Sequence, residues 1–416
     1  MSTTTPPEPA AWRAVTAGAS ASFVGIGLAR FAYTPLVPEL INAHWFSPSA
    51  VAYLGAANLA GYLAGALSAR RLGRRLGDRR ALRWMMVLAT LALLACSAPV
   101  SPAWFLVWRL ASGFAGGVIM VRVAGAVLPH LKGRGRGLAG GAIFAGLGVG
   151  IAASGTLVPL LLHLGLSRTW AGLALLCALL TALSWNGWPR PAAPAVPAAP
   201  GPAERRSVRS ARLRLLLVEY ALISMGITPA MAFLADFVSR GLDRGSADGS
   251  VVWILYGLGA LVGPTLYGLL GDRFGFARAL LLITLVQTAA LAALATADGL
   301  PEIAVLSVVI GSFPPGVVPV VLGRVHGLVP RPEAQAAAWG RVTVAGALSL
   351  ALSAYLYSYV FDRSGQDHRI LFLIGAAALV LALVAGAAAR FVRGPADTGE
   401  DTADQVAGAP GEPART

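Results

Sequence analysis

Apolar residues in this chain come in long runs. Residues 14–40, 51–69, 84–98, 103–128, 138–162, 169–187, 213–238, 250–270, 279–297, 301–323, 337–360 and 369–391 are each dominated by Ala, Leu, Val, Gly and aromatic side chains. About 20 apolar residues at ~1.5 Å each match a hydrocarbon core ~30 Å thick. The pattern therefore predicts an all-α integral membrane protein with twelve transmembrane helices. The run at 84–98 is short and must borrow residues from its flanks.

The breaks between runs organise the chain. The segment "WPRPAAPAVPAAPGPAERRSVRSAR" (188–212) is Pro/Ala-rich and then basic. It cannot form a core and reads as a semi-extended linker between six spans and six spans. The expected layout is a disordered tail over 1–12, a six-helix bundle over 13–188, a linker over 189–212, a second bundle over 213–391 and a disordered polar tail over 392–416.

The halves share a repeat. A shift of 198 residues lays "NLAGYLAGALSARRLGRRLGDRRAL" (58–82) on "YGLGALVGPTLYGLLGDRFGFARAL" (256–280) without gaps. The identities include Gly61/Gly259, Gly65/Gly263, Gly73/Gly271, Arg75/Arg273, Gly77/Gly275 and Arg80/Arg278. Chance matches between Ala/Leu-rich helices would favour Ala and Leu. These are mainly Gly and Arg around one loop, so two parallel, pseudo-symmetric six-helix bundles are expected, a known transporter plan.

Composition agrees: 56% of residues are hydrophobic and 12% charged. The net charge of +14 would suggest nucleic acid, but its placement argues otherwise. With the N-terminus inside, 25 of the 33 Lys+Arg fall on inside segments. Arg168, Arg240, Arg244, Arg363 and Arg369 are outside, and Arg30, Arg109 and Arg122 lie within spans. This asymmetry places both termini in the cytoplasm of a bacterial cell membrane. The basic charge then serves topology and contact with anionic headgroups. No nucleic-acid module accompanies it.

Cys96 and Cys177 fall in spans without CxxC spacing, so no metal or disulfide is read. The N-terminus lacks the basic region and cleavage site of a signal peptide. His44, His130, His163, His326 and His368 are scattered at helix ends and loops. No HExxH, GxSxG or P-loop pattern occurs, so neither an enzyme nor an ATP-driven pump is expected.

The loop "GLLGDRFGFAR" (268–278) resembles the signature between the second and third helices of each half in the major facilitator superfamily (MFS), through Gly268, Asp272, Arg273, Gly275 and Arg278. The first-half copy departs from it, with Arg74 in place of Asp272 and Arg70 in place of Gly268. The superfamily resemblance covers residues 12–391. The stretches "GIGLARFAYTPLVPEL" (25–40), "FAGLGVGIAASGTLVP" (144–159) and "WGRVTVAGALSLALSAYLYSYVFDRSG" (339–365) are similar to its YbfB/YjiJ-type branch. The resemblance implies secondary transport by alternating access, with a solute site near the midplane. It also implies that Asp272 and Arg273, with Gly275 and the repeat-related Arg75, stabilise closure of the cytoplasmic side.

Candidate chemistry centres on Arg30. It lies about ten residues, or ~15 Å, from either end of its helix, too deep to snorkel. An intramembrane charge defaults to function. The alternative is a structural arginine bonded to carbonyls of a broken helix. Tyr33 and Thr34 share its face, and Pro35 and Pro38 then kink the helix. Arg122, about six residues (~9 Å) from the cytoplasmic end of its helix, is either a second cavity cation or a snorkelling residue. Arg109, in "RLASGFAGG", resembles the superfamily's fourth-helix Arg-x-x-x-Gly signature, whose arginine is associated with proton coupling in some antiporters. Its place near the outer end equally suits an interfacial anchor. Tyr256 is the aromatic chosen for the solute, because it aligns with Asn58 in the repeat.

Acidic residues in spans are scarce. Glu39, Glu219 and Asp236 sit near helix ends and read as solvated residues rather than proton carriers. A central cation without a central acid leans towards an anionic solute. The expected partners are a small molecule and the lipid bilayer, with no cofactor and a monomeric chain; proton coupling does not follow from these acids, and protons stay open as a coupling ion beside uniport. The alternatives are a multidrug-type efflux carrier, which needs a large apolar cavity, and a non-transporting membrane receptor. Small residues at four-residue spacing (Ala57, Gly61, Gly65 and Ala69; Ala142, Gly146, Gly150 and Ser154; Gly259 and Gly263) suit close helix contact. They read as static packing or, since the superfamily resemblance implies that helices 2, 5, 8 and 11 meet between the halves, as smooth faces for rocking. "GSFPPGVVP" (311–319), with three prolines, reads as a hinge.

Overall fold

A computed structural model of the chain describes residues 9–130, 135–189, 211–329 and 332–389. These form twelve long helices: α1 (Trp12–Asn42), α2 (Pro48–Leu76), α3 (Asp78–Ala95), α4 (Pro102–Val127), α5 (Gly135–Leu162), α6 (Leu166–Ser184), α7 (Ala211–Gly241), α8 (Gly245–Phe274), α9 (Phe276–Leu294), α10 (Leu300–Leu328), α11 (Pro332–Arg363) and α12 (His368–Ala388). Each apolar run became one helix, and the described residues contain no strand. The short third run gains its length from a charged first turn that begins at Asp78. Helix also begins at Pro9, inside the expected N-terminal tail. Residues 1–8 of that tail, 190–210 of the linker and 390–416 at the C-terminus lie outside the described residues.

Local chemistry sets the helix ends. Ser47 and Ser101 cap α2 and α4, each followed by a proline at the first helical position. Their hydroxyls accept from the amides of Ala50 at 3.3 Å and Trp104 at 3.1 Å. Such caps satisfy an amide that has no intrahelical partner. At the other end of α2, Gly77 takes φ 73° and turns the chain into α3; Gly275 takes φ 80° between α8 and α9. Side-chain-bearing residues rarely adopt that conformation, so this repeated glycine marks the same turn in both halves.

Helices α1–α6 enclose one apolar core and α7–α12 another, and Ile26, Phe31, Leu59 and Ile151 of the first half join the core of the second. The 198-residue register holds in three dimensions beyond the loop where it is visible in the sequence. A Cβ on Gly61 would collide with the Leu110 carbonyl, and one on Gly259 with the Val308 carbonyl. Gly65 and Gly263 meet Phe114 and Ser312 in the same way. Gly113 and Gly311 meet the carbonyls of Asn58 and Tyr256. All three are contacts of α2 with α4 or of α8 with α10.

These glycines therefore hold helices together within a half. The expectation that they form a smooth face between halves is corrected, because their small faces admit neighbouring backbones of their own bundle. On α5, Gly146 and Gly150 likewise lie against Ala19 and Gly27 of α1, whereas Gly148 and Gly155 approach Leu261 and Ile254 of α8. The halves meet through α2 with α11, α5 with α8, and the second part of α1 with α7. The proline-rich stretch of α10 is helical throughout: the helix runs continuously through Pro314, Pro315 and Pro319.

Candidate functional site

The site begins with a fault in α1. Pro35 lacks the amide that would bond the Phe31 carbonyl, and Thr34 donates to that carbonyl instead at 3.3 Å. Upstream the helix widens over Phe23–Leu28, with Ala29 donating to Val24 at 3.1 Å and Phe31 to Ile26 at 3.3 Å. Regular helix resumes at Tyr33. Arg109 of α4 serves the break: its Nη1 donates to the Ala29 carbonyl at 2.9 Å and its guanidinium lies 4.2 Å from the Tyr33 ring centre. Only 2% of Arg109 is exposed, so the interfacial-anchor reading is corrected. The role of an arginine bonded to a broken helix, weighed for Arg30, belongs to Arg109.

Arg30 points instead into a cavity of about 50 Å³ between the halves. Phe31 and Thr34 of α1, Asn58 of α2, Met231 and Phe233 of α7 and Phe361 of α11 are among its lining residues. The Arg30 Nη2 donates to the Met231 sulfur at 3.0 Å, a weak acceptor. The guanidinium lies 5.0 Å from the Phe31 ring and 5.2 Å from the Tyr62 ring. Arg109 lines the same cavity. Neither arginine has a carboxylate partner among the described residues.

The other expected site residues separate. Tyr33 presents its ring to the cavity, but its hydroxyl donates to the Val51 carbonyl at 2.7 Å. Thr34 bridges the halves by donating to the Met231 carbonyl at 3.0 Å. Tyr256 stacks on Trp253 at 4.7 Å and lies within electrostatic reach of Arg30. Its buried hydroxyl has no partner among the described residues, and Tyr256 is not among the residues that line the cavity. Arg122 does not join Arg30. It lies at the far end of α4 and forms an ion pair with Asp78 at the start of α3, its Nε 2.7 Å from the carboxylate. Asp78, directly after the turn glycine Gly77, reaches it there, so the cavity-cation expectation for Arg122 is corrected.

The structure is closed on one side. On the face opposite the basic loops, Ser49 of α2 donates to Asp362 of α11, and the Tyr53 and Tyr355 rings lie 6.4 Å apart. Nearer the middle, the Trp253 indole donates to the Ser154 hydroxyl at 3.0 Å. On the basic face Asp272, Arg273, Gly275 and Arg75 are all exposed. Asp272 makes no hydrogen bond or ion pair among the described residues, and Arg273 only stacks on Phe274 at 5.6 Å. The expected closure through Asp272 and Arg273 is therefore not made in this conformation.

The reading of the acids is corrected too. Glu219 is buried and paired with Arg324 of α10. Asp236 is fully buried, accepts from Arg240 Nε and Nη2 at 2.6 Å each, and lies 2.7 Å from His368 Nε2. Both sit near helix ends as expected, but neighbouring helices cover those ends. Sequence reasoning also missed Asn58, which donates to Ser112 at 2.7 Å and to the Arg109 carbonyl at 3.2 Å. Its one signal was a polar residue at the repeat position of Tyr256. Met231, Phe233 and Phe361 carried no signal, since apolar residues in spans are everywhere.

Residues 22–387 match the family described as "Uncharacterised MFS-type transporter YbfB". No curated protein matches the chain. Among solved structures, the fold is similar to a D-xylose-proton symporter, with 14% identity, a TM-score of 0.72, and coverage of 90% of this chain and 96% of that one. It is similar as well to a mutant form of the nucleoside transporter NupG, with 15% identity, a TM-score of 0.73, and coverage of 90% of this chain and 99% of that one. Identities this low speak for the fold alone.

Proposed function

The chain belongs to this family of MFS-type transporters, and from that premise we propose that it is a secondary active carrier of a small organic anion with an apolar body. The observation that supports this reading is a cavity between the halves carrying Arg30 and Arg109 with no acid among the described residues to balance them. An uncompensated buried cation is costly, and a carboxylate solute would lower that cost by charge-assisted hydrogen bonds. Arg30, whose side chain has only a sulfur acceptor among the described residues, is the free donor. Met231, Phe233 and Phe361 offer the apolar wall. At about 50 Å³ the cavity is smaller than a benzene-sized ligand needs, so an organic solute enters only as the halves part, and the uncompensated cations rather than the volume favour the anion over a multidrug substrate.

On this reading the basic face is cytoplasmic and both termini lie inside. The halves rock about the cavity: Thr34–Met231 and Ser49–Asp362 part as the outer side opens, and Asp272 and Arg273 engage as the inner side closes. Protons are the coupling ion, with the buried Glu219 and Asp236 as the ionisable groups available to carry them. The chain works as a monomer, since one copy holds the whole cavity.

The test is thermal stabilisation of the purified protein by benzoate, gluconate, D-xylose and uridine, followed by flux in proteoliposomes. Stabilisation by an anion that disappears in Arg30→Ala is the expected outcome. Stabilisation by the neutral solutes alone, or anion binding unchanged in Arg30→Ala, would overturn the anion assignment.

A further inference from the structure

The turn between α2 and α3 holds three arginines that the transport reading does not use. Arg79, Arg80 and Arg83, with Leu76 and Gly77, line an open hollow of about 500 Å³ on the basic face. Like charges repel, and Arg79 and Arg83 are close enough to interact electrostatically. The acid nearest in the chain, Asp78, is occupied by Arg122. Arg83 donates one bond to the Trp185 carbonyl and stacks on that indole at 4.7 Å. The Nε atoms of Arg79 and Arg83 are nevertheless buried without a partner, and Arg79 and Arg80 make no hydrogen bond or ion pair among the described residues.

The geometry points to a binding site here for the phosphate of an anionic phospholipid. A phosphate accepts several guanidinium hydrogen bonds at once and removes the mutual repulsion. The surroundings select a lipid over a free ion. Arg80, Trp84, Leu91 and Leu94 fall on one stripe of α3. Trp84 is 57% exposed, Leu91 47% and Leu94 49%. From Arg80 to Leu91 the helix rises ~16 Å, about half the ~30 Å hydrocarbon thickness and so the depth of one leaflet. A phospholipid with its headgroup on the arginines would lay its tails along this apolar stripe, beside an aromatic residue suited to the interface.

The repeat supplies an internal control. In the second half Ala277 and Leu281 stand where Arg79 and Arg83 stand, and only Arg278 is kept, opposite Arg80. The site is private to the first half.

The experiment uses the full-length chain, delipidated in non-ionic detergent. Its thermal midpoint is followed during titration with dioleoylphosphatidylglycerol, dioleoylphosphatidylcholine or inorganic phosphate, and retained lipid is counted by native mass spectrometry. Phosphatidylglycerol is expected to stabilise the wild type well beyond phosphatidylcholine, with inorganic phosphate inert. Arg79→Gln/Arg83→Gln should raise the midpoint of the phosphatidylglycerol titration about tenfold or more, while Arg278→Gln leaves it unchanged. If the double variant folds poorly, Arg80→Gln read by retained lipid gives the same test. Equal stabilisation by phosphatidylcholine, full retention of phosphatidylglycerol by the arginine variants, or an equal response to inorganic phosphate would each overturn the lipid assignment.

Discussion

Among the described residues, the first six helices bury cations without acids, and the last six bury their charges in pairs. In α1 and α4, Arg30 and Arg109 border the cavity with a sulfur and a carbonyl as their side-chain acceptors among the described residues and aromatic rings beside them. In α7, α10 and α12, Glu219 holds Arg324, and Asp236 holds Arg240 and His368. The two halves nevertheless pack in register, as the matched glycine contacts of α2 with α4 and α8 with α10 establish. Equal architecture thus carries unequal electrostatics. One half leaves positive potential for a ligand to answer. The other compensates its own charges and lends the cavity apolar side chains.

The largest expected effects break the paired half. Glu219→Ala leaves Arg324 buried without a partner and should destabilise the protein by about 3–5 kcal/mol; Asp236→Ala strands Arg240 and His368 to a similar extent. Unfolding in mixed micelles measures both. The double replacement Glu219→Leu/Arg324→Met should recover most of the loss, because removing both charges also removes the desolvation cost. If the single variants are no worse than surface changes, the contrast between halves fails.

Next come the glycines that make the halves equivalent. Gly61→Ala and Gly259→Ala each drive a methyl group into a carbonyl of the facing helix, which should cost about 1–3 kcal/mol. Similar losses at both positions would sharpen the structural equivalence, and a loss at only one would break it.

Smaller effects separate the two unpaired cations. Arg109→Gln removes the donor to the Ala29 carbonyl and should cost about 1.5–3 kcal/mol, the worth of a charged hydrogen bond. Arg30→Gln should change stability by less than about 1 kcal/mol yet abolish anion binding, since a sulfur is its one hydrogen-bond partner and such a bond is weak. Thermal shift with and without benzoate distinguishes them. The smallest change is Tyr256→Phe. Its hydroxyl bonds nothing among the described residues, so stability should move by no more than ~0.5 kcal/mol. Tyr256 is not among the lining residues of the cavity, so anion affinity should stay within about twofold, in contrast to Arg30→Gln. A large stability loss would show that the hydroxyl is already satisfied.

Twelve spans, the two-half plan and the turns at Gly77 and Gly275 were legible in the chain alone. Each rests on a local cause: the transfer cost of apolar and charged residues fixes where a helix crosses, and a glycine at positive φ fixes where it turns. Arg30 stood out for the same reason, as a charge too deep to reach water. The sequence could not say which of Arg30, Arg109 and Arg122 meets the cavity, nor that Glu219 and Asp236 are covered. Those outcomes depend on partners far away in the chain: Arg109 with Ala29, Arg122 with Asp78, Glu219 with Arg324, and Asp236 with His368. A buried charge takes its role from the groups that surround it, and only the packing of helices against one another decides which groups those are.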